Sequence, residues 1–205
     1  MLEVLKQGGA TIIPLIIFSI LSLAISIERF IYLKRAKINN YNLINKVRVK
    51  LDDNKIKEIK SILEDEKSPV AGMLLEGLNY LGQEKEEIRQ NLELIGSNQV
   101  KKLEKRLKAL NFIASVSPLL GLLGTVLGII DSFNILATAQ GVANPGALSV
   151  GIAQALISTA VGLIVAIPTM LMYSYLASLV EKRTTEMNRW FADVVEVLGQ
   201  GGKNV

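Results

Sequence analysis

From Ala109 to Leu179 the chain carries a single charge, Asp131, inside an apolar stretch with one short uncharged break, Ala139-Gln140-Gly141-Val142-Ala143-Asn144-Pro145-Gly146. Each half of the stretch exceeds the roughly 20 residues that cross a bilayer core. A third uncharged run, Ala10 to Ile27, lies near the start. Three crossings, with a charged block between the first and second, describe an integral membrane protein. The fold class expected is all-α: three transmembrane helices with long cytoplasmic helical extensions.

Half of the residues are apolar and a fifth are charged, and the two kinds are segregated. A soluble chain of 205 residues would build one or two domains around a shared core. Here the apolar residues go into spans, so the soluble part is small. The chain has no Cys and no His. That excludes disulfides, thiolate or imidazole metal sites, and Ser-His or Cys-His catalysis. No enzyme, cofactor or metal is expected. The net charge of +4 does not point to nucleic acid, because the basic residues flank spans.

Their placement sets the expected topology. The segment from Lys34 to Lys108 holds 17 of the 23 Lys and Arg, and the tail after Val180 holds Lys182, Arg183, Arg189 and Lys203. The loop between the second and third spans holds none. Positive residues stay on the cytoplasmic side. The expected organisation is therefore an outside N-terminus over residues 1–9 and a first span over 10–33. A cytoplasmic helical region over 34–108 leads to a second span over 109–136. A periplasmic loop over 137–146 and a third span over 147–180 precede a cytoplasmic tail over 181–205. The first run is not read as a signal peptide: its basic residues, from Arg29 onward, lie mainly behind it.

The cytoplasmic block has helical spacing at Ile56, Ile59 and Leu63, and again at Val70, Leu74, Leu78 and Leu81. Ser68-Pro69 reads as a helix start, with Ser as cap and Pro in the first position. Gly82 ends that pattern. From Glu84 an apolar stripe runs through Ile88, Leu92, Ile95, Leu103 and Leu107. Only Gln99 interrupts it, and Val100 is expected to cover that face. With no breaker before Pro118, Glu84 to Phe133 would form one rod of about 75 Å. Val194, Val195 and Leu198 extend the third span as a short amphipathic tail.

The second and third spans are rich in small residues. Ser117, Gly121, Gly124, Thr125 and Gly128 fall on one helical face; Gly151, Ala155, Ser158, Thr159, Gly162 and Ala166 fall on another. Small residues let helix backbones approach closely in lipid, so tight packing within the chain explains any one glycine. Two such faces, each with a mid-depth Thr, also suit a pore lining or a socket for another helix. A membrane Thr often returns its hydroxyl to a carbonyl one turn back. Gln154 has an amide to satisfy and should face protein or water. Asp131, near the outer end of its span, reads as interfacial. Lys101 to Lys108 reads as a topology anchor touching anionic membrane lipid, and Glu28-Arg29 as an interfacial pair.

Ser117-Pro-Leu-Leu-Gly-Leu-Leu-Gly-Thr-Val-Leu-Gly-Ile-Ile130 resembles the second-span signature of the MotA/TolQ/ExbB family. Gly151-Ile-Ala-Gln-Ala-Leu-Ile-Ser-Thr-Ala-Val-Gly-Leu-Ile-Val-Ala-Ile-Pro168 resembles its third-span signature. Their order and separation also match, and the resemblance covers the whole chain. Its three-span plan is similar to the ExbB/TolQ branch, with ExbB preferred. The resemblance implies a bacterial inner-membrane subunit of a motor driven by the proton motive force. It further implies a homopentamer around single-span helices of an ExbD- or TolR-like partner, whose membrane Asp carries the proton, with motion passed to a TonB- or TolA-like protein. Thr125 and Thr159 match the family's pore threonines. Gln154 departs from the Glu of enteric members. The pore or proton-pathway residues implied are Thr125, Thr159, Gln154 and Ser158; Gly121, Gly124, Gly128, Gly151, Ala155 and Gly162 pack helices or face the partner. The rival readings are a TolQ-like subunit, a passive oligomeric channel, and a membrane scaffold.

The topology is directly testable, since a chain without Cys gives clean single-Cys probes. Probes at Gln140 or Asn144 should react with an impermeant thiol reagent added to intact cells, and probes at Lys60 or Asn204 should not. Outside labelling at Lys60 would invert the orientation.

Overall fold

The computed structural model describes residues 11–36, 40–53, 55–138 and 145–201. Among them every regular element is helical. The α-helices are α1 (Ile12–Arg35), α2 (Asn40–Asp52), α3 (Ile56–Asp65), α4 (Pro69–Gly77), α5 (Lys85–Glu104), α6 (Leu107–Thr138) and α7 (Pro145–Gly201). A 3₁₀ turn, Leu78–Tyr80, follows α4. Three of the helices, α1, α6 and α7, are long and apolar enough to cross a membrane. The chain forms two compact units. One joins the residues up to Glu28 to Arg106–Tyr175; the other joins Arg29–Lys105 to the residues from Leu176 onward.

The first unit is apolar on its outside. Ile13, Ile17, Ile20 and Leu23 of α1, Leu119 and Leu122 of α6, and Ile164, Ile167 and Leu171 of α7 are all exposed. Lipid tails, as apolar as these side chains, suit such faces. Phe18 and Phe112 meet edge to face at 6.2 Å and tie α1 to α6. Pro118 and Pro168 lie inside α6 and α7 without ending them, as membrane helices tolerate.

The expected rod from Glu84 to Phe133 is therefore corrected: the break comes earlier than Pro118. The chain leaves helical geometry at Lys105 (ψ 133°) and Arg106 (φ 68°). A left-handed residue with a side chain costs roughly 1–2 kcal/mol. Against this, the Arg106 guanidinium lies 2.7 Å from the Glu28 carboxylate, and the Leu110 N–H donates to the Arg106 carbonyl at 3.1 Å. Periodicity hides the break, because Leu103 and Leu107 keep helical spacing across it and both are buried.

The second unit folds by the rules of water-soluble helices. α2 packs on α3, α3 on α4, and α4 on α5. Its core gathers Ile59 and Leu63 of α3, Val70 and Leu74 of α4, Ile88 and Leu92 of α5, and Val194 and Leu198 from the end of α7. Ser68 caps α4 by accepting the Ala71 N–H at 3.0 Å, with Pro69 in the first turn. Gly82 turns the chain at φ 86°, a conformation that favours glycine. On the surface, the Lys50 ammonium bonds to Glu58 and holds its carboxyl below the usual range, while Asp53 raises Lys55. A lowered carboxylate stabilises above its ordinary range and loses that contribution as pH falls. At so exposed a site the contribution is small.

One residue departs from the expected core. Gln99 is itself buried in the stripe, and Val100 beside it is partly buried and packs against the same core. Its Nε2 donates to Glu76 Oε1 at 2.9 Å, and Lys102 Nζ donates to the same oxygen at 3.0 Å. Gly72 makes the room: a Cβ there would lie 2.7 Å from the Gln99 amide carbon. Gly72→Ala should push the amide off Glu76 and destabilise by roughly 1–3 kcal/mol, the cost of a buried polar group left unpaired. Thermal unfolding of the detergent-solubilised protein would show this as a lowered Tm, with exposed Ser97→Ala as the neutral control. An unchanged Tm for Gly72→Ala would mean that the amide is not fixed there.

Candidate functional site

The site is built where α6 and α7 run backbone against backbone. A Cβ added at Gly121 would lie 2.9 Å from the Ser158 carbonyl and 3.0 Å from Thr159 Cα. One added at Gly162 would lie 2.7 Å from the Ser117 carbonyl and 3.0 Å from Gly121 Cα. At Gly128 the obstacle is Ala155, whose Cβ would be 2.9 Å away. At Gly151 it is the Ser132 side chain. Both Gly121 and Gly162 meet main chain, which cannot rotate aside as a side chain can.

This approach brings two hydroxyls together. Thr125 Oγ1 and Thr159 Oγ1 form a hydrogen bond across the interface. Thr159 Oγ1 also lies 3.1 Å from the Gly121 carbonyl, and Thr125 Oγ1 lies 3.2 Å from the Ala155 carbonyl and 3.4 Å from that of Gly121. Both threonines are half-buried, so one side of the pair remains reachable. The return of a Thr hydroxyl to the preceding turn is thus a minor part of the geometry: the shorter contacts cross between helices.

The other candidates lie elsewhere around the same joint. Ser158 is fully buried and faces Gly124, where an added Cβ would lie 2.5 Å from Ser158 Cβ and 2.5 Å from Thr11 Oγ1. Gln154 is half-buried and finds no hydrogen-bond partner among the described residues. At 3.6 residues per turn it points about 140° around the α7 axis from Thr159. The threonines therefore pair with each other, Ser158 is buried against Gly124, and Gln154 occupies a separate face. Asp131 is exposed, about 9 Å beyond Thr125 along α6. Ser117 and Ser132 donate to the carbonyls of Ile113 and Gly128 at 2.6 and 2.7 Å, closing their hydroxyls within their own helix.

Sequence reasoning missed Thr11. It is buried and seated on Gly124 beside Ser158, with its Oγ1 lacking a partner. A lone Thr ahead of an apolar run reads as a helix start, and nothing in the spacing shows a third helix meeting the joint. No cluster of His, Cys, Asp or Glu fit to hold a metal occurs among the described residues.

These features define a class: a polytopic helical membrane protein whose second and third apolar helices are fused through glycine around a hydroxyl pair. The chain belongs to the MotA/TolQ/ExbB proton channel family, whose sequence profile matches residues 45–189. It is 34% identical over 194 residues to the biopolymer transport protein ExbB-like 3 of Synechocystis, covering 94% of this chain and 89% of that one. It is 46% identical over 83 residues to the biopolymer transport protein ExbB of Aquifex aeolicus, covering 40% of this chain and 55% of the relative. The Tol-Pal system protein TolQ of Pseudomonas aeruginosa is 47% identical over 78 residues, 38% of this chain and 33% of its own. The family is one of transport and channel subunits rather than of enzymes.

The glycine joint predicts its own test. Gly121→Ala should force α6 and α7 apart and destabilise by about 1–3 kcal/mol, as overpacking does. Gly199→Ala, whose Cβ would have only Lys85 at 3.7 Å, should be silent. Thermal unfolding in detergent compares them, and equal melting temperatures would mean that the close approach is not tightly held.

Proposed function

We propose that this chain is the channel-forming stator subunit of a motor driven by the proton motive force in a bacterial inner membrane. It would assemble as a pentamer around the single-span helices of an ExbD-like partner and energise a TonB-like protein. Its N-terminus would lie on the periplasmic side and its C-terminus in the cytoplasm. The expected span limits, 10–33, 109–136 and 147–180, form part of the same proposal.

One observation carries the reading: a reachable hydroxyl pair, Thr125 and Thr159, set in a glycine joint between otherwise apolar helices. Among the described residues the pair has no acid or base beside it, which fits a titrating group supplied by another chain. Moving one charge across 100 mV releases about 2.3 kcal/mol, enough to drive a conformational step. An ExbB-type role is preferred to a TolQ-type one. The preference rests on the ExbB-like relative matched along 94% of this chain; the ExbB of Aquifex aeolicus and the TolQ of Pseudomonas aeruginosa match similar, shorter shares, 40% and 38%. In the same proposal Gln154 serves the pathway from its own, separate face of α7, Ser158 backs the socket from its buried seat against Gly124, and Gly121, Gly124, Gly128, Gly151, Ala155 and Gly162 hold its walls.

Thr125→Val with Thr159→Val tests the assignment. Replacing both members of a hydrogen-bonded pair by apolar groups of the same shape is nearly neutral for stability, so the oligomer should keep its native mass. Energy-dependent transport should fall at least tenfold. Gln154→Leu should be milder. Full transport by the double variant would make the hydroxyls purely structural.

A further inference from the structure

The break between α5 and α6 is not coded by the residues that make it. From Leu103 to Leu110 the chain reads Leu-Glu-Lys-Arg-Leu-Lys-Ala-Leu, without Gly or Pro, and every residue is a good helix former. Leu103, Leu107 and Leu110 keep helical spacing and are all buried. Yet Arg106 stands at φ 68°, a conformation that any side chain disfavours. Local preference points to one continuous helix, and the fold departs from it. Contacts from outside the segment accompany the departure, and two neighbours on α1 supply them, one on each side of the break. Ahead of α6, the Glu28 carboxylate takes the Arg106 guanidinium at 2.7 Å. At the end of α5, Arg29 Nη1 donates to the Lys102 carbonyl at 3.4 Å. That carbonyl is among the last four of α5, which have no partner within the helix. Arg29 is buried, with its guanidinium 4.6 Å from the centre of the Tyr32 ring, so its direction is constrained. The order of charges suits the helix dipoles: an acid where a helix begins, a base where one ends. Each contact lies within its own compact unit, Glu28 with Arg106 in one and Arg29 with Lys102 in the other.

We infer that the α5–α6 junction is a two-state element, broken or continuous, and that Glu28–Arg29 of α1 is the clasp that sets it to broken. In the continuous state Arg106 takes right-handed helical geometry. The N–H groups of Leu107, Lys108 and Ala109 then gain the carbonyls of Leu103, Glu104 and Lys105, four residues back. In the broken state the same N–H groups open α6 and have no such partners. The two states are close in free energy. The strain at Arg106 and the unused helical bonds oppose the break, and the Glu28–Arg106 pair, about half exposed, favours it only modestly. Losing the clasp therefore tips the balance. α6 also carries Gly121 and Gly124 of the joint with α7, so a change in its first turn reaches that joint through a single helix. The clasp does not depend on the motor reading.

The test is backbone hydrogen exchange of the full chain in detergent, read by mass spectrometry at Leu107–Ala109 and referred to the core segment Ile88–Ile95 of α5. Glu28→Ala removes half of the clasp at a partly exposed position. Exchange at Leu107–Ala109 should slow by about tenfold as these amides enter a continuous helix. Glu28→Arg with Arg106→Glu rebuilds the ion pair with its charges exchanged and should return exchange to the wild-type rate. Glu28→Ala with Arg106→Gly should also keep the wild-type rate, because glycine takes positive φ without strain and weakens a continuous helix. Unchanged exchange in Glu28→Ala would show that the clasp does not set the break. Faster exchange would show that no continuous helix competes with it. Either result overturns the inference. Slowing that persists when Arg106→Gly is added would place the change away from the junction and overturn it as well.

Discussion

Close approach of two backbones inside lipid is the constraint on which the rest depends. Apolar side chains give helices no reason to associate in a hydrocarbon solvent. What remains is van der Waals packing at short range and a few polar contacts, and both need the helices nearly touching. Gly121 and Gly162 supply that, each leaving no room for a Cβ against the other helix's main chain. Only at this spacing can Thr159 reach the Gly121 carbonyl and Thr125 reach that of Ala155. The glycines are therefore not a separate feature from the hydroxyl pair. They set the distance over which it forms.

The second unit works in the opposite solvent regime. Ile59, Leu63, Leu74, Ile88, Leu92 and Leu198 are removed from water almost completely, and each such side chain contributes about 1.5–3 kcal/mol. At Gln99 that core admits a polar group and satisfies it: the amide reaches Glu76, whose carboxylate also takes Lys102. The arrangement resembles the threonine joint in one respect. A glycine, Gly72 here, makes the space in which a polar contact between helices can form.

Much of this was legible in the sequence because it rests on long uncharged runs and on local chemistry. Three apolar helices follow from run length alone. The Ser68-Pro69 start, the turn at Gly82 and the buried stripe from Ile88 to Leu103 follow from capping, backbone freedom and spacing. What escaped depends on partners distant in sequence. The break at Lys105–Arg106 has no Gly or Pro to mark it and is accompanied by an ion pair to Glu28, far back along the chain. Gln99 looked like a flaw in its stripe because Glu76 and Gly72, its partners, lie on another helix. The small-residue faces and their two threonines were visible as faces. Their pairing, the separate direction of Gln154, and the seat of Thr11 on Gly124 required the helices to be placed together.

The central claim is that this chain shapes a proton path without supplying the proton carrier. Proton flux into vesicles under an imposed pH gradient and membrane potential tests it most directly. The purified chain should conduct no better than empty vesicles. Reconstituted with a single-span partner of the kind proposed, it should conduct, and replacing a membrane Asp of that partner by Asn should abolish the flux. Strong, pH-gated flux through the purified chain without any partner would contradict the account and identify a self-sufficient channel.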